Sequence, residues 1–235
     1  MKLIRKIVKV FRKYLLINFF SDIYITFIRY LNGESGNKLR YKYYKKRLKY
    51  LGKDVIIDTG VFIEGAEYIS IGDGTHIDKN CILVGCSPDL DLTHRILVEL
   101  KNKDFNQIKG SIAIEKNCHL SQYVMVYGYG GVLIQNNCGL SANSKVYSLS
   151  SLPINPRNRR ESVSILPFSG KSPTLLGAVV LKENSWLGVN CLVQPGVTIG
   201  KDSFIESNSI ITASVDDNVY AGGYPLKIHN KRFYN

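Results

Sequence analysis

A six-residue repeat in the second half of the chain constrains its fold more than any other feature. Six consecutive hexads each begin with an aliphatic residue, namely Leu181, Leu187, Val193, Ile199, Ile205 and Ile211. The fourth place mostly holds types that tolerate a left-handed backbone, namely Asn184, Asn190, Gly196, Asp202, Asn208 and Ser214. The fifth place is small, namely Ser185, Cys191, Val197, Ser203, Ser209 and Val215. The same phase appears upstream, from Ile57 to Leu83 and from Ile114 to Val146.

One inward aliphatic side chain every six residues predicts an all-β solenoid in which three short strands form one triangular coil. Residues 18 apart should then stack in successive coils, so we expect Leu181 against Ile199, Leu187 against Ile205 and Val193 against Ile211. An antiparallel sandwich would instead show period-two alternation with hairpin signals. We assign the solenoid to residues 54–218, with insertions at 86–110 and 150–176, and a separate C-terminal segment to 219–235.

Charge is distributed unevenly along the chain. The formal net charge is +12, yet residues 1–53 hold 15 Lys or Arg against only Asp22 and Glu34. The remainder is nearly neutral, so we expect a neutral body with a basic arm. A protein that binds nucleic acid along its whole surface would carry basic side chains on the body as well.

The arm, residues 1–53, interleaves cations with apolar residues at nearly helical spacing, which predicts basic amphipathic helices. Asn18, Asp22 and Arg29 interrupt the apolar run that a transmembrane helix would need, and no small-residue cleavage site follows it. Two alternatives stay open. The arm attaches the protein to the inner face of the cytoplasmic membrane, or its helices pack on the body and expose a solvated basic face.

Four of the five cysteines occupy the small fifth place of the repeat, namely Cys81, Cys118, Cys138 and Cys191. Their spacing matches neither a CxxC metal motif nor a disulfide framework. We therefore expect packed thiols in a reducing cytoplasm, with Cys86 outside the repeat.

Residues 185–215 (SWLGVNCLVQPGVTIGKDSFIESNSIITASV) and the closing GGYPLKI at 222–228 resemble the hexapeptide-repeat acyltransferases. The stretch RYKYYKKRLKYLGKDVIID before the first coil is similar to bacterial O-acetyltransferases of surface polysaccharides. The resemblance implies a left-handed parallel β-helix and a homotrimer with active sites between subunits. It also implies transfer of acetyl from acetyl-CoA to a sugar hydroxyl of capsule, lipopolysaccharide or a related glycan, without a metal.

In relatives a histidine in an irregular loop acts as the general base. The matching positions here are Ser150 and Ser151, and residues 120–228 contain no histidine. We rank His119, which flanks the inward Leu120 and is expected at a coil corner, as the first candidate base, and His94, in the insertion 86–110, as the second. His76 lies at the equivalent place of an earlier coil, where we expect no second imidazole beside it or beside His119. His229 is expected to be solvated.

The resemblance also indicates donor and acceptor residues. Trp186 and Gly188 match a segment close to both substrates, while Gly222, Gly223, Pro225 and Lys227 match the region that approaches coenzyme A. In the insertion 150–176, Ser150, Ser151 and Arg157 are candidate contacts to the acceptor.

Two other functions remain as alternatives. A γ-type carbonic anhydrase shares this kind of helix but needs three histidines around zinc, which the four histidines here do not supply by spacing. A catalytically impaired paralogue that only binds glycans or serves as a scaffold would explain the missing loop histidine.

Overall fold

The computed structural model describes residues 19–92, 95–151 and 172–234. Within them three parallel sheets form the sides of a triangular prism, as the repeat predicts, and the all-β solenoid is confirmed. The chain visits the sheets in a fixed order, so each sheet gains a strand once per coil.

The strands are short, mostly of two or three residues. Sheet 1 contains β1 (Tyr50–Leu51), β4 (Ile69–Ile71), β8 (Ile112–Ile114), β11 (Val132–Ile134), β16 (Val179–Leu181) and β19 (Thr198–Ile199). Sheet 2 contains β2 (Ile56–Ile57), β5 (His76–Ile77), β9 (His119–Leu120), β12 (Gly139–Leu140), β17 (Trp186–Leu187), β20 (Phe204–Ile205), β22 (Val219–Gly222) and β23 (Lys227–Lys231). Sheet 3 contains β3 (Phe62–Glu64), β6 (Ile82–Val84), β10 (Met125–Tyr127), β13 (Lys145–Tyr147), β18 (Leu192–Val193) and β21 (Ile210–Ile211).

The aliphatic residue of each hexad points into the prism. The predicted stacking is confirmed, because Leu181 pairs with Ile199, Leu187 with Ile205 and Val193 with Ile211. These side chains are fully buried and join one continuous core. Burial of a large aliphatic side chain contributes about 1.5–3 kcal/mol, so the ladders supply the main stabilisation of the fold.

The corners explain the fourth and fifth places of the repeat. Five of the six fourth-place residues of the last coils have positive φ, from 57° at Asn184 to 83° at Gly196, and Ser214 is the exception. The fifth-place residues are buried, because their side chains turn inward at the corner, where the chain changes sheet. The four corner cysteines are free thiols, as expected.

Two helices cap the first coil. Residues 19–30 are helical (α1), and α2 covers Gly33–Tyr44. Arg40 is fully buried, donating to the carbonyl oxygens of Ile28 and Leu31 at 2.7 Å and of Ile57 at 2.7 Å. One guanidinium thus joins α1, α2 and the first coil. Strand β1 lies inside the range 1–53, so the last residues of that range already form part of sheet 1.

The two insertions pair with each other. β7 (Arg95–Leu100) lies in 86–110, and β14 (Leu149–Ser151) and β15 (Ser172–Gly177) bound the other insertion. β15 pairs in parallel with β7 and in antiparallel with β14, which makes a small fourth sheet. It lies at the corner between sheets 3 and 1, because β13 precedes it and β16 follows it.

The C-terminal segment closes the other end of the prism. β22 and β23 form an antiparallel hairpin that extends sheet 2. Within the described residues, no helix combines the length and hydrophobicity needed to cross a bilayer.

Candidate functional site

The outward positions of sheet 2 form a single column that contains several of the candidate site residues. Parallel pairing aligns them in the order Ile56, His76, His119, Gly139, Trp186, Phe204 and Tyr220. Neighbours in such a column are one strand spacing apart, about 4.8 Å. The repeat therefore brings together residues that are far apart in the sequence.

Two imidazoles meet on one carboxylate in this column. His76 Nε2 lies 3.0 Å from Asp78 Oδ1, and His119 Nε2 lies 3.1 Å from Asp78 Oδ2. The Gln122 amide donates to the same Oδ2 at 3.1 Å. The Asp78 side chain is only 12% exposed, whereas His119 is 45% exposed. A nearly buried carboxylate thus fixes two rings that remain open to solvent.

The expectation that no second imidazole lies beside His76 or His119 was wrong. Their ring centroids are 5.5 Å apart, because equivalent places in successive coils pair directly. The insertion 86–110 separates them in the sequence and hides this register. His119 also begins strand β9 on the sheet face, where a corner position had been expected.

Sequence reasoning missed Asp78 and Gln122. Both lie at the corner that follows a sheet 2 strand, Asp78 one residue after β5 and Gln122 two residues after β9 of the next coil. The sequence did contain a signal for this cluster, namely a His-x-Asp pattern at His76 and Asp78 that aligns with His119 of the next coil.

Trp186 lies on the C-terminal side of the histidines, as a candidate donor contact requires. A Cβ atom added to Gly139 would lie 2.4 Å from Cε3 of Trp186, so the indole occupies the space above this glycine. Its Nε1 donates to Ser141 Oγ at 2.9 Å. Because Gly139 pairs with His119, the indole and the imidazole are separated by one small residue. Sequence reasoning also missed Gly139, because the need for a glycine there comes from the Trp186 ring of the following coil.

The other candidate donor residues lie further along the same edge. Gly188 occupies the corner after β17, where a Cβ would lie 2.5 Å from the backbone nitrogen of Ser207. Gly222 ends β22, Gly223 and Pro225 lie in the hairpin turn, and Lys227 begins β23.

A second imidazole–carboxylate pair lies at that end. His229 Nε2 is 3.2 Å from Glu206 Oε2, and the Tyr220 hydroxyl also donates to Glu206. His229 is exposed and is also paired with this carboxylate.

The candidate acceptor residues do not meet His119 within one chain. Ser150 and Ser151 belong to β14, at the corner between sheets 3 and 1, and sheet 2 is the third side of the prism. His94 and Arg157 lie outside the described residues.

The arrangement on Asp78 suits proton transfer. A carboxylate that accepts from Nε2 selects the tautomer with an unprotonated Nδ1 and stabilises the imidazolium that forms when Nδ1 takes a proton. The ligand atoms of His76, Asp78 and His119 all lie within 4.8 Å of one another, so this is also the group among the described residues that could hold a metal ion. In the described structure these groups bond to one another.

Two of the cavities that described residues line lie beside the prism. One of about 1110 Å³ lies outside sheet 1 between the insertion residues 101–104 and the last coils. The other, about 710 Å³, lies between α2 and residues 53–56 of the first coil. Only the second reaches the sheet 2 column, through Ile56.

Comparison with known proteins agrees with the predicted resemblance. Residues 178–213 match the family model "Bacterial transferase hexapeptide (six repeats)". The galactoside O-acetyltransferase of Lactococcus lactis subsp. lactis (strain IL1403) is 45% identical over 53 residues, 23% of this chain and 26% of that protein. WbbJ of Escherichia coli (strain K12), named as an O-acetyl transferase of lipopolysaccharide biosynthesis, is 39% identical over 54 residues, 23% of this chain and 28% of that protein. The matched segments span about a quarter of these relatives.

Solved structures share the fold over most of the chain. The N-acyltransferase AntD from Bacillus cereus, in complex with dTDP and 3-hydroxybutyryl-CoA, has a TM-score of 0.63 and 21% identity, covering 82% of this chain and 87% of that one. A hexapeptide-repeat acetyltransferase from Vibrio cholerae, in complex with acetyl coenzyme A, has a TM-score of 0.51 and 19% identity, covering 87% and 80%. The left-handed parallel β-helix is thereby confirmed.

Proposed function

Because this chain carries the hexapeptide repeat of bacterial transferases, we propose that it is an O-acetyltransferase that moves acetyl from acetyl-CoA to a sugar hydroxyl of a bacterial surface glycan. The observation that carries the proposal is the His119–Asp78 pair on an open sheet face, with Trp186 two strands further along. The names of the galactoside and lipopolysaccharide relatives support a sugar hydroxyl as the acceptor.

In the proposed reaction His119 is the general base. Its Nδ1 removes the proton of the sugar hydroxyl while the hydroxyl oxygen attacks the thioester carbonyl. Asp78 holds the ring through Nε2 and stabilises the imidazolium. When the carbon–sulfur bond breaks, the imidazolium returns its proton to the departing thiolate. The products are an acetyl ester and free coenzyme A, and the base is regenerated.

The donor approaches from the C-terminal side in this proposal. Trp186 and Gly188 border the path beside His119, and the hairpin with Gly222, Gly223, Pro225 and Lys227 lies where the pantetheine and phosphates pass. Lys227 is exposed and can face a phosphate. Small residues at these places leave room for the extended cofactor.

A homotrimer completes the site in the same proposal. Ser150 and Ser151 belong to a corner opposite sheet 2, so they reach an acceptor at His119 only if they come from a neighbouring copy. We propose the same role for Arg157, which lies outside the described residues. Exposed apolar residues on sheet 2, including Ile56 at 40% and Trp186 at 36%, fit a face that another subunit covers in part.

The arm attaches the enzyme to the inner face of the cytoplasmic membrane. α1 turns Ile28 to the core, while Phe20, Phe27 and Tyr30 are 60–64% exposed. Aromatic side chains on one face together with the positive charge of residues 1–53 favour an anionic lipid surface.

The test is acetyl transfer by the purified full-length chain. We expect acetyl-CoA to bind in calorimetry and radiolabelled acetyl to appear on glycans as an alkali-labile ester. A folded trimer that neither binds coenzyme A nor transfers acetyl would contradict the proposal and favour a scaffold role. An acetyl group stable to mild alkali would indicate an amine acceptor instead of a hydroxyl.

A further inference from the structure

The cavity beside α2 lies at the N-terminal end of the sheet 2 column, which contains the proposed base. It has a volume of about 710 Å³, within the usual range for small-molecule sites. Ile56 lines it and pairs directly with His76, which pairs with His119. The cavity wall is thus two strand spacings, about 10 Å, from the proposed base.

Four residues on one side of α2 line this cavity. Its lining residues Glu34, Asn37, Lys38 and Tyr41 are spaced three or four apart, so they share one side of the helix. The residues that face the core are different ones, Gly36, Arg40 and Tyr44. The cavity therefore borders the docked side of α2, and Tyr41 contacts both the core and the cavity.

The lining combines fixed apolar surface with polar groups. The Tyr41 hydroxyl donates to the carbonyl oxygen of Gly52 at 2.8 Å, which holds the ring in place. Val55 and Ile56 provide aliphatic surface, while Glu34 and Asn37 provide polar atoms. An aromatic ring beside a few oriented polar groups suits a sugar, which has both an apolar ring face and a rim of hydroxyls.

The charges of the lining decide between two kinds of sugar. Glu34 and Asp54 balance Lys38 and Lys53, so the cavity has no formal net charge. Lys38 is moreover engaged with Glu34 at 2.6 Å. A nucleotide diphosphate sugar carries at least two negative charges and would need uncompensated cations here. The lining instead suits an uncharged glycosyl unit.

We infer that this cavity holds one end of the acceptor, a neutral hexose glycoside whose other end extends past His76 to His119, while acetyl-CoA enters from the opposite, C-terminal end of the column. The inference rests on the proposed O-acetyltransferase function and adds the place and the charge class of its acceptor. The two substrates then meet at His119 from opposite directions, so neither has to pass the other.

The first test places a larger side chain in the cavity and measures the KM of each substrate. Ile56→Trp places a larger side chain at the position that faces the cavity next to His76. With p-nitrophenyl β-D-galactoside as acceptor, we expect its KM to rise at least tenfold, while the KM for acetyl-CoA changes less than twofold. Phe62→Trp is the matched control, because Phe62 is an outward residue of the same coil, 37% exposed, on sheet 3. It should behave like the wild type.

A second variant avoids any effect on folding. The Glu34 side chain is 81% exposed, so Glu34→Ala should leave the thermal unfolding midpoint unchanged but raise the galactoside KM severalfold. Glu64→Ala, on sheet 3, is its control. Wild-type acceptor KM values in both folded cavity variants would overturn the inference. So would efficient acetylation of UDP-galactose, with neutral p-nitrophenyl galactoside, glucoside and N-acetylglucosaminide all inactive.

Direct binding separates failure of this inference from failure of the proposed function. Ligand-observed NMR should show saturation transfer to p-nitrophenyl β-D-galactoside with the wild type and lose it with Ile56→Trp, whether or not acetyl is transferred. Glycoside binding that Ile56→Trp abolishes, without any acetyl transfer, would refute the catalytic function and keep the glycoside site. Acetyl transfer that is insensitive to Ile56→Trp would support the catalytic function and refute the glycoside site.

Discussion

At the scale of single residues, catalysis should depend on the one imidazole that faces both substrates. We expect His119→Ala to lower kcat by about 10²–10⁴ and to leave the KM for acetyl-CoA nearly unchanged, because a general base acts in the transition state. His229→Ala is the control for kcat alone, since His229 is also paired with a carboxylate, Glu206, but lies on the hairpin of the proposed donor path, where its loss should alter only the KM for acetyl-CoA. Steady-state kinetics of both variants test whether His119 is the general base. Full activity of His119→Ala would exclude it.

A buried corner thiol should make stability depend on pH. Burial raises the pKa of Cys81 from 9.0 to about 12. The thiol therefore stabilises the fold fully below about pH 9, and this contribution is lost as pH rises from 9 towards 12, because the unfolded chain ionises first. Urea titrations should give a midpoint that falls above pH 9, less steeply in Cys81→Ala. Cys86→Ala, whose thiol is half-buried, is the control and should change the slope less.

At the scale of the repeat element, corner asparagines hold the turns. Asn190 has φ 58°, and its amide donates to the Asn208 side chain at 3.0 Å. A β-branched residue is strained in this conformation, so Asn190→Val should lower the free energy of unfolding by about 1–3 kcal/mol. Asn190→Gly keeps the turn and loses only the two side-chain bonds, to Asn208 and from Asn143, so it should cost less. Equal losses in urea denaturation would show that the left-handed turn is not what selects asparagine.

At the scale of the whole molecule, assembly and membrane contact should be separable. We expect light scattering at micromolar concentration to give three times the chain mass of 26.4 kDa, because Ser150 and Ser151 lie at the corner between sheets 3 and 1 and can meet sheet 2 only in a neighbouring copy. A stable monomer that nevertheless transfers acetyl would contradict this arrangement.

Membrane contact should depend on the exposed side of α1. Phe20→Ser with Phe27→Ser should weaken sedimentation with phosphatidylglycerol vesicles by at least about tenfold, since each phenylalanine buries apolar area in lipid. Tyr234→Ser, 74% exposed at the opposite end, is the control. Removal of residues 1–31 is unsuitable, because it would take away Ile28 and the carbonyl oxygens that Arg40 binds. Unchanged sedimentation of the double variant would leave α1 as a structural cap.

The hexad determined the fold by itself. A period of six with one inward aliphatic residue is a local requirement that each coil repeats. Because three hexads make one coil, the pairing of Leu181 with Ile199, 18 residues later, could be predicted from their spacing alone. The small fifth place and the left-handed fourth place likewise follow from steric limits within a single corner. These features need no knowledge of the rest of the chain.

Only the tertiary structure decided the site. Asp78 contacts both His76 and His119 because the coils before and after the insertion 86–110 stack directly on each other. The length of the insertion does not reveal which residues of the two coils are paired. The need for Gly139 comes from the Trp186 ring of the following coil. The arm shows the same limit, since its composition predicted helices, whereas the buried Arg40 and the exposed phenylalanines of α1 depend on which face docks. Local sterics fix a repeat, but contacts between coils are set by packing over long sequence separations.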